Sequence, residues 1–198
     1  MQNEKIEVVH EHSGELVGLS LPRHEVIENK HWCRSTNIFV LNRHGNILCH
    51  QRSAHKERYP NAWSTHLGGH LSHGETYEHN ALKELEEEVG IKIDPAMLIP
   101  WRTTRINKSR LWVREFMTVF DGDINDLKLQ TEEVQSVKWF TPLEILREYQ
   151  HNPDLWLAGT HDFKTEYLCL RAVLTACLSA GVFAKDFHHL HAWHPLPL

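Results

Sequence analysis

The 198-residue sequence has only four cysteines, Cys33, Cys49, Cys169 and Cys177, and no two of them form a CxxC pair. That excludes a zinc ribbon and a thioredoxin-type site. A chain of this length needs no disulfide staples, so the thiols read as reduced and the expected location is cytoplasmic. No run approaches about 18 uninterrupted apolar residues, which excludes a membrane-spanning helix. The start, Met1-Gln2-Asn3-Glu4-Lys5, lacks the basic-then-apolar order of a signal peptide. A surplus of cations is missing too: 21 Lys and Arg face 26 Asp and Glu, a net charge of −5. Duplex nucleic acid, whose phosphates demand cations, is therefore excluded as a partner. Internal repeats and low-complexity linkers are absent, so residues 1–198 read as one domain.

An apolar fraction of 41%, with 7 Trp, 7 Phe and 4 Tyr, is enough for a core. Ile6–His10 and Glu15–Leu19 read as a hairpin around Ser13-Gly14. Residues 24–31 read as a short helix or loop. Asn37–Leu41 and Ile47–Arg52 read as strands joined at Arg43-His44-Gly45-Asn46, and Trp63–Leu67 as another. Thr76–Val89 reads as a helix, with Tyr77, Ala81, Leu85 and Val89 as its apolar stripe and Gly90 as its stop. Met97–Arg105, Leu111–Phe120 and Val134–Phe140 complete the strands. Thr141 can cap a helix that Pro142 opens, Leu143–Tyr149. A longer helix is expected over Asp162–Ala180, as core or dimer surface, which leaves a homodimer open. Strands on both sides of a central helix predict an α+β fold with a mixed sheet.

Chemistry concentrates between Gly68 and Ile91. On a helix Glu84, Glu87 and Glu88 are related as i, i+3 and i+4, so three carboxylates share one face. Like charges so placed repel, and a cation relieves them; oxygen donors of this kind suit Mg²⁺, Mn²⁺ or Ca²⁺ rather than zinc. Glu86 falls on the opposite side and reads as solvated. A solvated acidic face is the plain alternative. The ordered context argues against it: a glycine pair and loop before the helix, Glu75 at its start and a glycine at its end. Residues 75–88 hold six acids and one base, leaving 20 of each in the rest. The whole net charge thus sits on this one helix, as an empty cation site would show it.

Gly69, Glu75, Lys83-Glu84-Leu85, Glu87-Glu88 and Gly90-Ile91 keep the spacing of a known signature, nine positions over 23 residues. The segment resembles the Nudix box. One position departs, Lys83, where that family has arginine. The resemblance implies an α/β/α sandwich, here with an N-terminal β-hairpin (1–32), a core (33–150) and an extra C-terminal helix (151–198). It implies Mg²⁺ or Mn²⁺ held by Glu84, Glu87 and Glu88, joined by the Gly69 backbone carbonyl. It also implies hydrolysis by water of a small-molecule diphosphate, nucleotide-type or isoprenoid-type. The family's arginine grips box glutamates with a bidentate fork; lysine, a point charge, cannot.

The resemblance extends over roughly residues 5–142. Pro22-Arg23-His24, His31-Trp32, Gln51-Arg52-Ser53, Tyr59-Pro60-Asn61-Ala62-Trp63 and Gly68-Gly69-His70 are similar to the branch containing type 1 isopentenyl-diphosphate isomerase. In that branch His24, His31, His70 and Glu115 match metal-binding positions. Gly68 stands in place of the catalytic cysteine and Val113 in place of a glutamate. Protonating an alkene carbon needs a positioned acid, and glycine supplies none. Hydrolysis is therefore the first reading; isomerase and non-catalytic diphosphate-binding module are its rivals.

By the same resemblance Arg52 and Lys56 are expected to bind the diphosphate, Trp63 to line the pocket and His70 to face its mouth. The bland readings are a solvated loop pair for the first two and core packing for Trp63. Glu115 is a candidate further ligand or base. Glu132 and Glu133 precede a strand where many Nudix hydrolases carry a base or late ligand; two adjacent acids leave the choice open, with a solvated turn as the plain reading for at least one, and Glu133 is the candidate carried forward. The tail histidines His188, His189, His191 and His194 read as exposed, with a transition-metal site as the alternative.

Overall fold

The computed structural model describes residues 4–157. The expected helix over 162–180 and the histidine tail lie outside the described residues. Among the described residues eight strands and three α-helices follow in chain order: β1 (Lys5–Val9), β2 (Leu16–Pro22), α1 (Arg23–Glu28), β3 (Cys33–Leu41), β4 (Ile47–Arg52), β5 (Trp63–Ser64), α2 (Tyr77–Val89), β6 (Ile99–Ile106), β7 (Leu111–Val119), β8 (Val134–Phe140) and α3 (Pro142–His151). β1 and β2 form the N-terminal hairpin, an antiparallel sheet of their own. The other six strands make one mixed sheet in the order β5-β4-β3-β7-β6, with β8 paired to β4. β3 and β7 run parallel, while the remaining pairs are antiparallel.

β3 explains the layering. Its Ile38-Phe39-Val40-Leu41 run is continuous and apolar, the mark of a strand covered on both faces. Strand side chains alternate, so Ile38 and Val40 point one way and Phe39 and Leu41 the other. The first pair joins Phe116, Leu67 and the α2 stripe Ala81, Leu85 and Val89 in one core cluster. The second joins Met117, Val119, Phe140, Ile145 and Trp156, beneath α3. The α+β sandwich, with α2 and α3 on opposite faces of the mixed sheet, is thus as expected from the sequence.

Two helix ends follow local rules. Thr141 and Glu144 close a capping box at the start of α3, with Pro142 in its first turn. Thr76 Oγ1 accepts the His79 N–H at 3.1 Å at the start of α2. Gly90 ends α2 at φ +75°, a conformation that favours glycine. Cys33 and Cys49 are free and buried. No helix among the described residues is long and apolar enough to cross a membrane.

Candidate active site

The loop before α2 is pinned to β3. Leu67 exchanges backbone hydrogen bonds with Ile38 (2.8 and 3.0 Å), the Thr36 N–H reaches the Gly69 carbonyl at 3.0 Å, and the Leu71 N–H reaches Arg34 O at 3.1 Å. This strand-like track carries Gly68 and Gly69 beneath α2. Each glycine has its own reason. Gly68 sits at φ +133°, and a Cβ there would strike the Thr36 carbonyl. At Gly69 a Cβ would occupy the space taken by the Glu84 carboxylate.

Glu84 and Glu88, one helical turn apart, turn inward, whereas Glu87 and Glu86 are exposed. Glu88 is only 7% exposed and accepts the Gly68 N–H at 3.2 Å. Burial pushes its carboxyl up to about 8, helped by Glu84 and Glu133 and opposed by the Gly68 N–H and Arg52. Burial pushes Glu84 up to about 7, opposed by Lys83 and helped by Glu87, Glu133 and Glu75. Desolvation disfavours the charged form, and neighbouring carboxylates add to it. Among the described residues, no three His, Cys, Asp or Glu side chains converge as they stand on one metal position. The donor set nevertheless fits a hard divalent cation: carboxylate oxygens, close together, whose ionisation a cation would favour.

Several expected residues gather here. Arg52, at the end of β4, gives its Nε and Nη2 hydrogens to the Arg58 carbonyl (3.3 and 3.1 Å), and its charge reaches Glu88. Lys56 Nζ lies 2.5 Å from Glu133 Oε2. The Ser53 N–H, 2.9 Å from Glu133 O, ties the 53–62 loop to that turn. His70 is pushed down to about 4 by burial and by the cations Arg23, Arg58 and Lys56. Lys83 Nζ holds Glu75 Oε1 at 2.7 Å, so the substituted lysine still grips a box glutamate, at a single point.

Gly69, Glu115, Trp63 and His24 have other surroundings. The Gly69 carbonyl accepts from the Thr36 N–H and from Ser35 Oγ at 2.9 Å, which takes up both lone pairs within the fold. The missing Gly69 side chain leaves the space that the Glu84 carboxylate fills, and the carbonyl is hydrogen-bonded within the fold. Glu115 is held through both oxygens by Arg102, with Nη2 to Oε1 at 3.2 Å. By strand alternation it shares the α3-side face with Met117, away from α2. Trp63 packs its ring 5.3 Å from Phe140 and 6.4 Å from Trp156 between centroids. The plain packing reading is what its surroundings support. His24 is exposed on the six-residue α1.

Sequence reasoning passed over Asn80, a fully buried amide inside α2. The signal was present: asparagine is a weak helix former, and here it adjoins the apolar stripe.

Residues 31–158 match the NUDIX domain model. The chain belongs to the Nudix family. It is 34% identical over 140 residues to an uncharacterized Nudix hydrolase of Pseudomonas aeruginosa, covering 68% of this chain and 80% of that protein. It is also 30% identical over 124 residues to the isopentenyl-diphosphate Δ-isomerase of Corynebacterium diphtheriae, covering 59% and 68%. The crystal structure of Deinococcus radiodurans DR0079 superposes with a TM-score of 0.65 at 25% identity, covering 75% of this chain and 90% of that one. The Nudix match and its hydrolase relatives make the chain a Nudix-type hydrolase, a class acting on diphosphate bonds.

Proposed function

We propose that this Nudix protein uses Mg²⁺ or Mn²⁺, held by Glu84, Glu87 and Glu88, to hydrolyse a small-molecule diphosphate with water as nucleophile. The observation that carries the reading is the inward pair Glu84 and Glu88, which burial and neighbouring carboxylates hold back from ionising. When bound, the cation supplies Lewis acidity to the phosphoryl group and to the attacking water. Arg52 and Lys56 add the positive charge that a diphosphate requires on the other side. Lys56 is shared with Glu133. A diphosphate that claims the lysine would release Glu133 to accept a proton from water, the part of a general base.

Gly68 weighs against the isomerase rival. A cysteine there would need a Cβ where the Thr36 carbonyl lies, on a backbone at φ +133°. The acid that alkene protonation requires has no room at this position.

A panel of nucleotide and isoprenoid diphosphates, assayed for phosphate release with Mg²⁺, tests the reading. Turnover is expected on at least one class and lost in Glu87→Gln, with the melting temperature unchanged because Glu87 is exposed. Metal binding without turnover across the panel would favour the non-catalytic module. Full activity in Glu87→Gln would reject the ligand assignment.

A further inference from the structure

Asn80 joins four groups that sequence distance keeps apart. Its Oδ1 accepts from Thr36 Oγ1 at 2.6 Å. Its Nδ2 lies 3.1 Å from the His70 carbonyl, 3.1 Å from Glu75 Oε2 and 3.5 Å from Glu84 Oε1. The partners fix the amide's orientation: reversed, its oxygen would face three acceptors. Two N–H hydrogens serve those three acceptors, and the longest contact, to Glu84, shares one of them.

Glu75 is consequently gripped from two sides. Lys83 Nζ holds Oε1 at 2.7 Å, while the Ser72 N–H at 2.8 Å and Asn80 hold Oε2. An ammonium is a single point charge on a flexible stem and does not by itself fix the plane of a carboxylate. A buried amide anchored on β3 through Thr36 adds, with the Ser72 N–H, a fixed hold on the other oxygen.

We infer that Asn80 is a positioning residue for the cation site: with Lys83 it clamps Glu75, and it sets the Glu84 carboxylate against Gly69. This rests on the proposed role of Glu84 as a metal ligand. Losing a group that orients a ligating side chain from behind typically costs about 10- to 100-fold in metal affinity. Asn80 touches no reacting atom in this assignment and acts only through Glu75 and Glu84.

The test titrates the full chain with Mn²⁺ alone, followed by electron paramagnetic resonance of the free ion, beside thermal unfolding in EDTA. Asn80→Ala is expected to weaken Mn²⁺ binding about tenfold or more. Adding Lys83→Arg to that variant is expected to restore most of the loss, because a guanidinium fork grips both Glu75 oxygens unaided. A merely structural Asn80 would lower the melting temperature and leave the Mn²⁺ affinity of the folded protein unchanged, and that result overturns the inference. Should Asn80→Ala not fold, Thr36→Val decides. It removes only the hydroxyl that orients the amide, so several-fold weaker Mn²⁺ binding is expected and unchanged binding overturns the inference. Absence of Mn²⁺ binding by the unaltered chain would defeat the metal-site reading itself. Normal binding there with no loss in the variants would defeat only the role of Asn80.

Discussion

Lys56 and Glu133, 77 positions apart in the chain, meet through a single ion pair at the edge of the acidic site. Both partners are about four-fifths buried, at 21% and 22% side-chain exposure, and the carboxylate also acts electrostatically on Glu84 and Glu88. In the proposed reaction the lysine is shared between the candidate base Glu133 and the incoming anion.

Lys56→Met is the first consequence. It keeps the stem and removes the cation. A charge-assisted hydrogen bond to a diphosphate is worth about 1.5–3 kcal/mol, so kcat/KM is expected to fall about 10- to 100-fold. Steady-state kinetics on the best substrate of the panel checks this. An unchanged kcat/KM would return Lys56 to a purely structural partner of Glu133.

The second concerns Glu88 without metal. Its folded pKa is raised above the ordinary 4.5 to about 8, so the folded state keeps a proton that the unfolded state has released. Metal-free protein is therefore expected to lose stability as pH rises through that window. Glu88→Gln keeps an acceptor for the Gly68 N–H and carries no charge. In EDTA it should melt higher than the parent near the top of the window and alike below it. Added Mg²⁺ should raise the melting temperature of the parent but not that of the variant. An equal Mg²⁺ response in both would separate Glu88 from the cation.

Part of this was readable in the sequence, and the divide has physical causes. Regular spacing carried the elements: the Ala81-Leu85-Val89 stripe with Gly90 behind it marks α2, and the apolar run of β3 marks a strand covered on both faces. Expected strand Trp63–Leu67 shortened to Trp63–Ser64, because at Leu67 the chain leaves β4 and bonds to Ile38 on β3. Box spacing placed Glu84 and Glu88 on one face. It carried no sign that Glu87 stays exposed while Glu88 is enclosed, since that depends on the loop laid across β3. The Arg102 grip on Glu115 and the ring contacts of Trp63 depend on which face of a strand meets which neighbour, and a single residue's type does not tell that.

A third prediction uses His50, buried on β4 with no hydrogen-bond partner at Nδ1 among the described residues. Burial, with His66 and Arg52 nearby, pushes it from the ordinary 6.5 down to about 3. A depressed folded pKa means the unfolded state takes up a proton first as pH falls. The stability is complete above about 6.5 and drains away towards about 3. His50→Leu removes that proton uptake. Chemical denaturation over the acid range should show a shallower decline, by up to about 1.4 kcal/mol per pH unit. Identical slopes would mean that His50 is protonated in the fold.

The last prediction concerns position 68, where the isomerase-like frame and the hydrolase part company. Gly68→Cys would restore the thiol of that branch in name. The backbone at φ +133° and the Thr36 carbonyl both oppose a side chain there. Strained backbone alone costs on the order of 1–3 kcal/mol, and displacing β3 at Thr36 adds to it. The displaced segment also carries the Thr36 hydrogen bond to Asn80, so the cation site should loosen with it. The variant is expected to melt lower than the parent and to bind Mn²⁺ more weakly. With isopentenyl diphosphate, nuclear magnetic resonance should show no double-bond migration. A stable variant that moved the double bond would show that the frame needs only its cysteine, and the distinction drawn from Gly68 would fall.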